Sequence, residues 1–368
     1  MRYTELDTPS LLVDREILLR NLKKMQDYAD ENHVMLRPHT KTHKMPEIAK
    51  LQMEQGACGI AVAKIGEAEV MAEYGLTDIF IANEIIGVQK FRRIAALAKK
   101  IRIAFGVDTP CQVTQAEEVF AAEGVDAEVL IEIEVGENRS GIIGESDFLE
   151  LLDTIKGCEH VKFKGIFSHD GNGYRAPSVE ACLEISRNAQ ARTLQFADLA
   201  KQHGMPCETV SYGSTPPFTC HGPILPGITE LRPGTYAFMD AAQAHAVGTF
   251  DHCAATVLAS VISRPTKERV ILDVGAKGLT MQQRTEGICF APGKGLLYED
   301  PEICISGMFD EHAIILNEAF REKTSVGDKV RVIPVHICPV CNLYDRAYLI
   351  SGDEVVKELP IACRGKLQ

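Results

Sequence analysis

Tryptophan is absent, long apolar runs are absent, and positive charge is in deficit; each lack removes a class of function. Of 368 residues, 39 are Lys or Arg and 51 are Asp or Glu, giving a net charge of −12. A surface of that sign repels nucleic acid and acidic membrane, so neither is expected as a partner. No stretch approaches the ~18 consecutive apolar residues of a membrane helix. The opening MRYTELDTPS also lacks the apolar core of a signal peptide. The 12 cysteines follow no regular framework, so reduced thiols and a cytoplasmic setting are expected in place of disulfides. There is no low-complexity tract. What is present is a 45% hydrophobic composition, sufficient for a large core, in a length that favours two domains.

Short apolar runs alternate with longer amphipathic stretches through the first two-thirds of the chain. The runs lie at 34–38 (VMLRP), 59–63, 78–83, 101–107, 127–135, 161–168, 208–213 and 229–234. Between them are helical patterns such as EACLEISRNAQARTLQFADLAKQHG, closed by a C-cap glycine, Gly204. Such alternation dictates parallel strands with right-handed crossovers. Eight strands of this kind predict an α/β fold, a closed (β/α)8 TIM-type barrel, with its last two helices weakly marked. After about Tyr236 the texture changes to strand-like segments: ATVLASVISRP, RVILDVGAK, DKVRVIPVHI and RAYLISGDEVVKELPI, the last broken by the turn signal SGDE. A mostly β second domain is expected there. The expected division is a barrel over 9–236 and a β domain over 237–368 together with 1–8, although the strand TPSLLVD suits either part.

Barrel chemistry sits at the C-terminal ends of the strands. Those ends carry RPHTK at 37–41, Asn83-Glu84, Asp108, GENRSG with Arg139, SHDGNGY with His169 and Tyr174, and YGSTPP. In SYGSTPP, Gly213 permits close backbone approach, Ser214 and Thr215 offer hydroxyls, and two prolines stiffen the exit. The position suits a phosphate as well as it suits an ordinary helix N-cap. Lys41, flanked by Arg37, His39, His43 and Lys44, is expected to have its pKa lowered by neighbouring positive charge and partial burial. That would favour the free amine required for an imine. Lys44 is read as a solvated charge at a helix start. An amine facing a phosphate cradle suggests pyridoxal phosphate, with Arg139 at its phenolic oxygen and His169 or Tyr174 near its ring. Far downstream, His336 and Cys338 in VHICPVCNLYD are expected to alternate on a strand and to face one side. Imidazole with thiolate suits zinc and leaves positions open for water or substrate; buried structural cysteines are the competing reading. Cys338 and Cys341 also form a C-x-x-C, without the βαβ context of a redox motif.

With these residues assembled, the chain resembles the D-threonine aldolase and D-serine dehydratase family of pyridoxal-phosphate enzymes. The likeness runs from DTPSLLVD through RPHTKTHK, GENRSG, SHDGNGY and ELRPGTYAFMD to HICPVCNLYD. It implies an alanine-racemase-like barrel with a C-terminal β domain, a D-amino acid substrate bearing a β-hydroxyl, and a homodimer. By the same resemblance Lys41 matches the lysine that forms the imine with the cofactor, and Arg139 matches the arginine at its ring oxygen. Gly213, Ser214 and Thr215 fall where the family binds phosphate. His336 and Cys338 match its divalent-metal pair, with zinc in dehydratases and often manganese or magnesium, on histidine and aspartate, in aldolases. His39 and Arg37 are expected to help shape the site. CPVCNLYD and ELRPGTYAFMD look like the aldolase branch, whereas SHDGNGY and Cys338 look like the dehydratase branch; the aldolase is favoured. Two further readings remain. A racemase would need a second base and would have no use for His336 and Cys338. A non-catalytic cofactor-binding protein would normally be a lone barrel.

Overall fold

The computed structural model describes all 368 residues. The chain opens with β1 (Ser10–Asp14). The Asp14 carboxylate then accepts from the Ile17 amide at 2.9 Å and caps the helix Arg15–Glu31. Eight strands follow: β2 (Met35–Leu36), β3 (Ile60–Val62), β4 (Asp78–Glu84), β5 (Arg102–Val107), β6 (Ala127–Ile133), β7 (Val161–Ser168), β8 (Thr209–Tyr212) and β9 (Glu230–Leu231). They form one all-parallel sheet in the order β2-β9-β8-β7-β6-β5-β4-β3. Its two ends meet: Leu36 O accepts from Cys58 N, Pro38 O from Ala61 N, and Ala61 O from Thr40 N, all at 2.8–2.9 Å. All eight expected strands are therefore present and the barrel is closed. The two weakly marked helices are short, Pro216–Thr219 after β8 and Ala241–Val247 after β9.

Period-two alternation sorts the barrel's side chains. Ile79, Ile81, Phe105, Val129 and Ile131 join the large core beneath the helices. Phe80, Leu130 and Phe167, from the intervening positions, meet in a separate small cluster within the barrel, Phe80 and Phe167 edge to face at 5.1 Å. The same alternation turns Arg37, Glu230 and Arg232 inward.

The second domain is a nine-stranded sheet. It contains β10 (Ala255–Ser263), β11 (Arg269–Leu272), β12 (Leu296–Leu297), β13 (Ile305–Met308), β14 (Ala313–Leu316), β15 (Lys329–Ile333), β16 (Arg346–Ser351) and β17 (Glu354–Pro360). The four segments read as strands become β10, β11, β15 and the β16–β17 hairpin. β1 pairs antiparallel with β10 and parallel with β16, so it lies in this sheet and not in the barrel, where the range 9–236 had put it. The physical reason is burial: SLLVD is buried at every position but the last, as an interior strand of a covered sheet must be. One core of 79 buried residues runs from the barrel's strand–helix layer into this domain. No helix is long and apolar enough to cross a membrane.

Candidate active site

A cavity of about 480 Å³ opens at the C-terminal ends of the barrel strands. Its wall includes His39, Lys41, Arg139, His169, Tyr174, Gly213, Ser214 and Thr215. The candidate residues on the barrel thus converge from four different loops.

Only part of the cluster at 37–44 faces this cavity. Arg37 turns into the opposite end of the barrel, its Nε 2.7 Å from Glu230 and its Nη1 2.5 Å from Asp78, so it does not shape the site. His43 is fully buried, with its pKa pushed down to about 4 by that burial. Its Nδ1 accepts from Met45 N at 3.0 Å. Lys44, expected in solvent, is buried and paired with buried Glu67. Lys41 alone of the cluster's cations reaches the cavity. Its pKa is lowered as expected, but the causes differ. Burial is the largest, nearby Cys338 and Glu67 oppose it, and Arg139 and Arg232 add to it. His39 is held well below its ordinary range by burial and by the charges of Lys41 and Arg232, and is a neutral imidazole.

The loop after β8 is built for close approach. Gly213 has φ +150°, and a Cβ there would lie 2.9 Å from the Phe218 ring and 3.0 Å from Arg232 N. Thr215 Oγ1 accepts from Gly234 N at 3.3 Å and Thr235 N at 3.2 Å, which ties this loop to the one after β9. The Ser214 hydroxyl is buried and has no partner, and the Ser214 and Thr215 amides find no backbone acceptor. Unpaired donors beside a residue that must be glycine fit a phosphate.

Across the cavity a chain of charges orders the other wall. Glu132 accepts from Arg139 Nη2 at 3.2 Å and Ser140 Oγ at 2.7 Å. Arg139 Nη1 lies 3.3 Å from Glu137, which also holds His169 Nδ1 at 2.8 Å. Burial and the neighbouring Glu132 push Glu84 upward, so it keeps its proton at neutral pH. Arg232, buried, donates to Ser211 Oγ and Ser168 O, both at 2.7 Å, and its guanidinium lies 5.2 Å from the Phe167 ring. Burial lowers its pKa to about 10.

His336 and Cys338 are not on a strand. β15 ends at Ile333, and His336 occupies the N-cap position of the helical turn Ile337–Cys341 without a side-chain capping bond. Pro334 and Pro339 flank the segment, and a proline has no amide with which to continue a ladder. The turn still brings Cys338 to the edge of the cavity, its Sγ 3.3 Å from Thr42 Oγ1 and 3.6 Å from Thr235 Oγ1. His336 Nδ1 is 3.0 Å from Gln282 Oε1, which leaves Nε2 free. Burial pushes its pKa down to about 4, against the nearby Asp240 carboxylate, so the ring is neutral, as a metal ligand must be. No group of three or more His, Cys, Asp or Glu side chains converges, so the pair offers two donors and open positions. Cys341 is fully buried in the core and is not a second thiol of the site.

Arg232, Glu132 and Thr42 were not singled out as site residues in the sequence, and Glu84 was named only as a strand end without a role. A signal existed for two of them: Glu132 is an acid near the C-terminal end of a mostly apolar strand, and Arg232 directly follows the eighth barrel strand.

Residues 13–242 match the family model described as alanine racemase, N-terminal domain, and residues 254–350 match that of a serine dehydratase domain. A D-threonine aldolase of Arthrobacter sp is 32% identical over 366 residues, 98% of this chain and 93% of that protein. A D-threo-3-hydroxyaspartate dehydratase of Delftia sp. (strain HT23) is 31% identical over 373 residues, 96% of each. Among solved structures, D-threonine aldolase from Filomicrobium marinum has a TM-score of 0.92 at 30% identity, covering 100% of this chain and 98% of that one. A cysteine-to-alanine mutant of a D-threo-3-hydroxyaspartate dehydratase, in a metal-free form, has a TM-score of 0.90 at 27% identity, covering 98% of each.

Proposed function

The chain belongs to the alanine racemase N-terminal-domain family and is a lyase, and we propose that it cleaves a D-3-hydroxy amino acid to glycine and an aldehyde with pyridoxal phosphate and a divalent metal. The observation that carries this reading is one amine, Lys41, of depressed pKa, in a cavity shared with the unpaired Ser214 hydroxyl and edged by Cys338.

Each residue then has a role. Lys41 Nζ would hold the cofactor, and its lowered proton affinity favours the free amine that takes up and returns a proton. Gly213, Ser214 and Thr215 hold the phosphate, Arg139 meets the ring oxygen, and His169 and Tyr174 flank the ring. Neutral His39 closes the wall beside Lys41 without adding a charge. Pyridoxal phosphate, when bound, supplies an electron sink for negative charge at the substrate's Cα. His336 and Cys338 are the residues that would hold the metal, zinc by the softness of their donors, or manganese or magnesium. It would supply Lewis acidity at the substrate's β-hydroxyl. When a base takes the β-hydroxyl proton, the Cα–Cβ bond breaks, the aldehyde leaves with Cβ, and a proton returned to Cα gives glycine. Loss of the α-proton to Lys41 leads instead to expulsion of the hydroxyl, which takes up a proton and leaves as water; a water molecule then displaces the nitrogen to give a keto acid with ammonia, the dehydratase alternative favoured by a cysteine ligand.

The test is a product assay on purified protein with pyridoxal phosphate and zinc or manganese, given D-threonine, D-serine and D-3-hydroxyaspartate. Glycine with an aldehyde is expected. Keto acid with ammonia would establish the alternative, L-isomers alone would establish a racemase, and no turnover would refute the reading. A cytoplasmic homodimer completes the proposal, and light scattering on the purified protein checks the dimer.

A further inference from the structure

Residues 281–291 of the β domain run across the barrel loops as a strap. Cys289 N donates to Tyr174 O at 3.3 Å, Ile288 N to Ala176 O at 2.8 Å, and Ala291 N to Arg284 O at 2.9 Å. Gly287 lies so close that a Cβ there would be 2.4 Å from the Arg175 backbone. At one end Gln282 holds His336. Two residues on, the Arg284 guanidinium stands 5.1 Å from the centre of the Tyr174 ring, itself part of the cavity wall. Arg284 makes no ion pair and donates no side-chain hydrogen bond, and its Nε is shut off from water without an acceptor. A guanidinium left this way forgoes strong bonds that a carboxylate would supply through its planar fork. The cationic side chains that line the cavity itself are engaged or reserved: Arg139 with Glu132 and Glu137, Arg232 with Ser211 and Ser168, and Lys41 for the cofactor.

We infer that Arg284 binds a carboxylate of the substrate, between the Tyr174 ring and the His336–Cys338 pair. The inference rests on the proposed D-amino acid chemistry, because every substrate of that class carries a carboxylate. The carboxylate is either the α-carboxylate of every such substrate or the side-chain carboxylate of an acidic one, and the experiment separates the two.

Steady-state kcat and KM would be measured for wild type, Arg284→Gln and Arg284→Lys with D-threonine and D-3-hydroxyaspartate. Cofactor absorbance serves as the folding control. The expected result is a KM raised at least ~30-fold in Arg284→Gln, with kcat changed far less and partial recovery in Arg284→Lys, as loss of a bidentate ion pair requires. A rise with both substrates assigns the α-carboxylate; a rise with the acidic substrate alone assigns the distal one. KM values within twofold of wild type for both substrates, or a loss confined to kcat, would overturn the inference. Wild type inactive on every hydroxy acid would refute the proposed reaction instead. Calorimetric binding of D-alanine and D-aspartate, which lack the hydroxyl, would then decide on Arg284 alone: weaker binding of either in the variant supports it, and equal binding of both overturns it.

Discussion

Glu137 joins two of the residues proposed to face the cofactor, and replacing it tests whether that wall is built as a unit. Its carboxylate holds His169 Nδ1 at 2.8 Å and lies 3.3 Å from Arg139. It also presses on the backbone at Gly171, where a Cβ would come within 1.9 Å of it. Burial works to raise its pKa, but the bond from His169 and the charge of Arg139 outweigh that and hold it below the ordinary range. In Glu137→Gln the shape remains and the charge is lost. The His169 bond, between side chains 20% and 22% exposed, is worth about 1.5 kcal/mol. The Arg139 pair, with its arginine 48% exposed, is screened and adds about 0.5 kcal/mol. Together they amount to about 2 kcal/mol, or roughly 30-fold in affinity. We therefore expect pyridoxal phosphate to bind Glu137→Gln about 30-fold more weakly in an absorbance titration. A dissociation constant within twofold of wild type, in a variant with an unchanged circular dichroism spectrum, would refute the idea that Glu137 positions these two side chains.

Three further outcomes are expected. Glu230→Gln leaves the buried Arg37 short of its main partner, at 2.7 Å. It should cost about 3–5 kcal/mol and lower Tm by roughly 4–6 °C in calorimetry; a shift under about 1 °C would show the pair to be dispensable. Asp170, buried and hydrogen-bonded by Tyr212, has its pKa raised by burial from 3.8 to about 6. The fold prefers its neutral form, so its contribution is full below pH ~4 and is lost as pH rises through ~6. Asp170→Asn has no such titration and should gain about 2 kcal/mol on wild type between pH ~4 and ~7 in urea unfolding. A constant difference across that range would refute the assignment. Cys338→Ala should keep the cofactor's absorbance and lose the activity that chelators abolish; full activity would remove Cys338 from the metal site.

The barrel was legible because each of its strands is a short apolar run bounded by turn residues, and β2, only Met35–Leu36, still stood out through the basic cluster behind it. β1 was legible as a strand but not as to its sheet, since a run buried on both faces carries no mark of its neighbours. β12, β13 and β14 passed unseen: two to four residues each are too few for a period-two pattern to register. The turn at 337–341 reads as strand because His-x-Cys satisfies strand alternation, while Pro334 before it and Pro339 at its centre argue for a break. On the barrel, the strand-end rule led to the cavity-facing residues. It failed for Arg37, because a residue just past so short a strand can turn toward either end of the barrel, and here two carboxylates at the far end decide it.

That failure explains the cluster RPHTKTHK better than mutual repulsion does. Five basic or imidazole groups in eight residues would oppose one another if all faced one space. Instead each is handled separately: Arg37 by Glu230 and Asp78, Lys44 by Glu67, and His39 and His43 by burial as neutral rings. Lys41 is the one cation left without a carboxylate partner, and it faces the cavity. Its amine is biased toward the free form chiefly by burial, with Arg139 and Arg232 adding to the effect. The nearby Cys338 side chain opposes that bias. Cys338→Ala removes that opposition, so it should shift the pH dependence of cofactor binding to lower pH in an absorbance titration even where no metal is present; an unchanged profile would refute the link between this sulfur and Lys41.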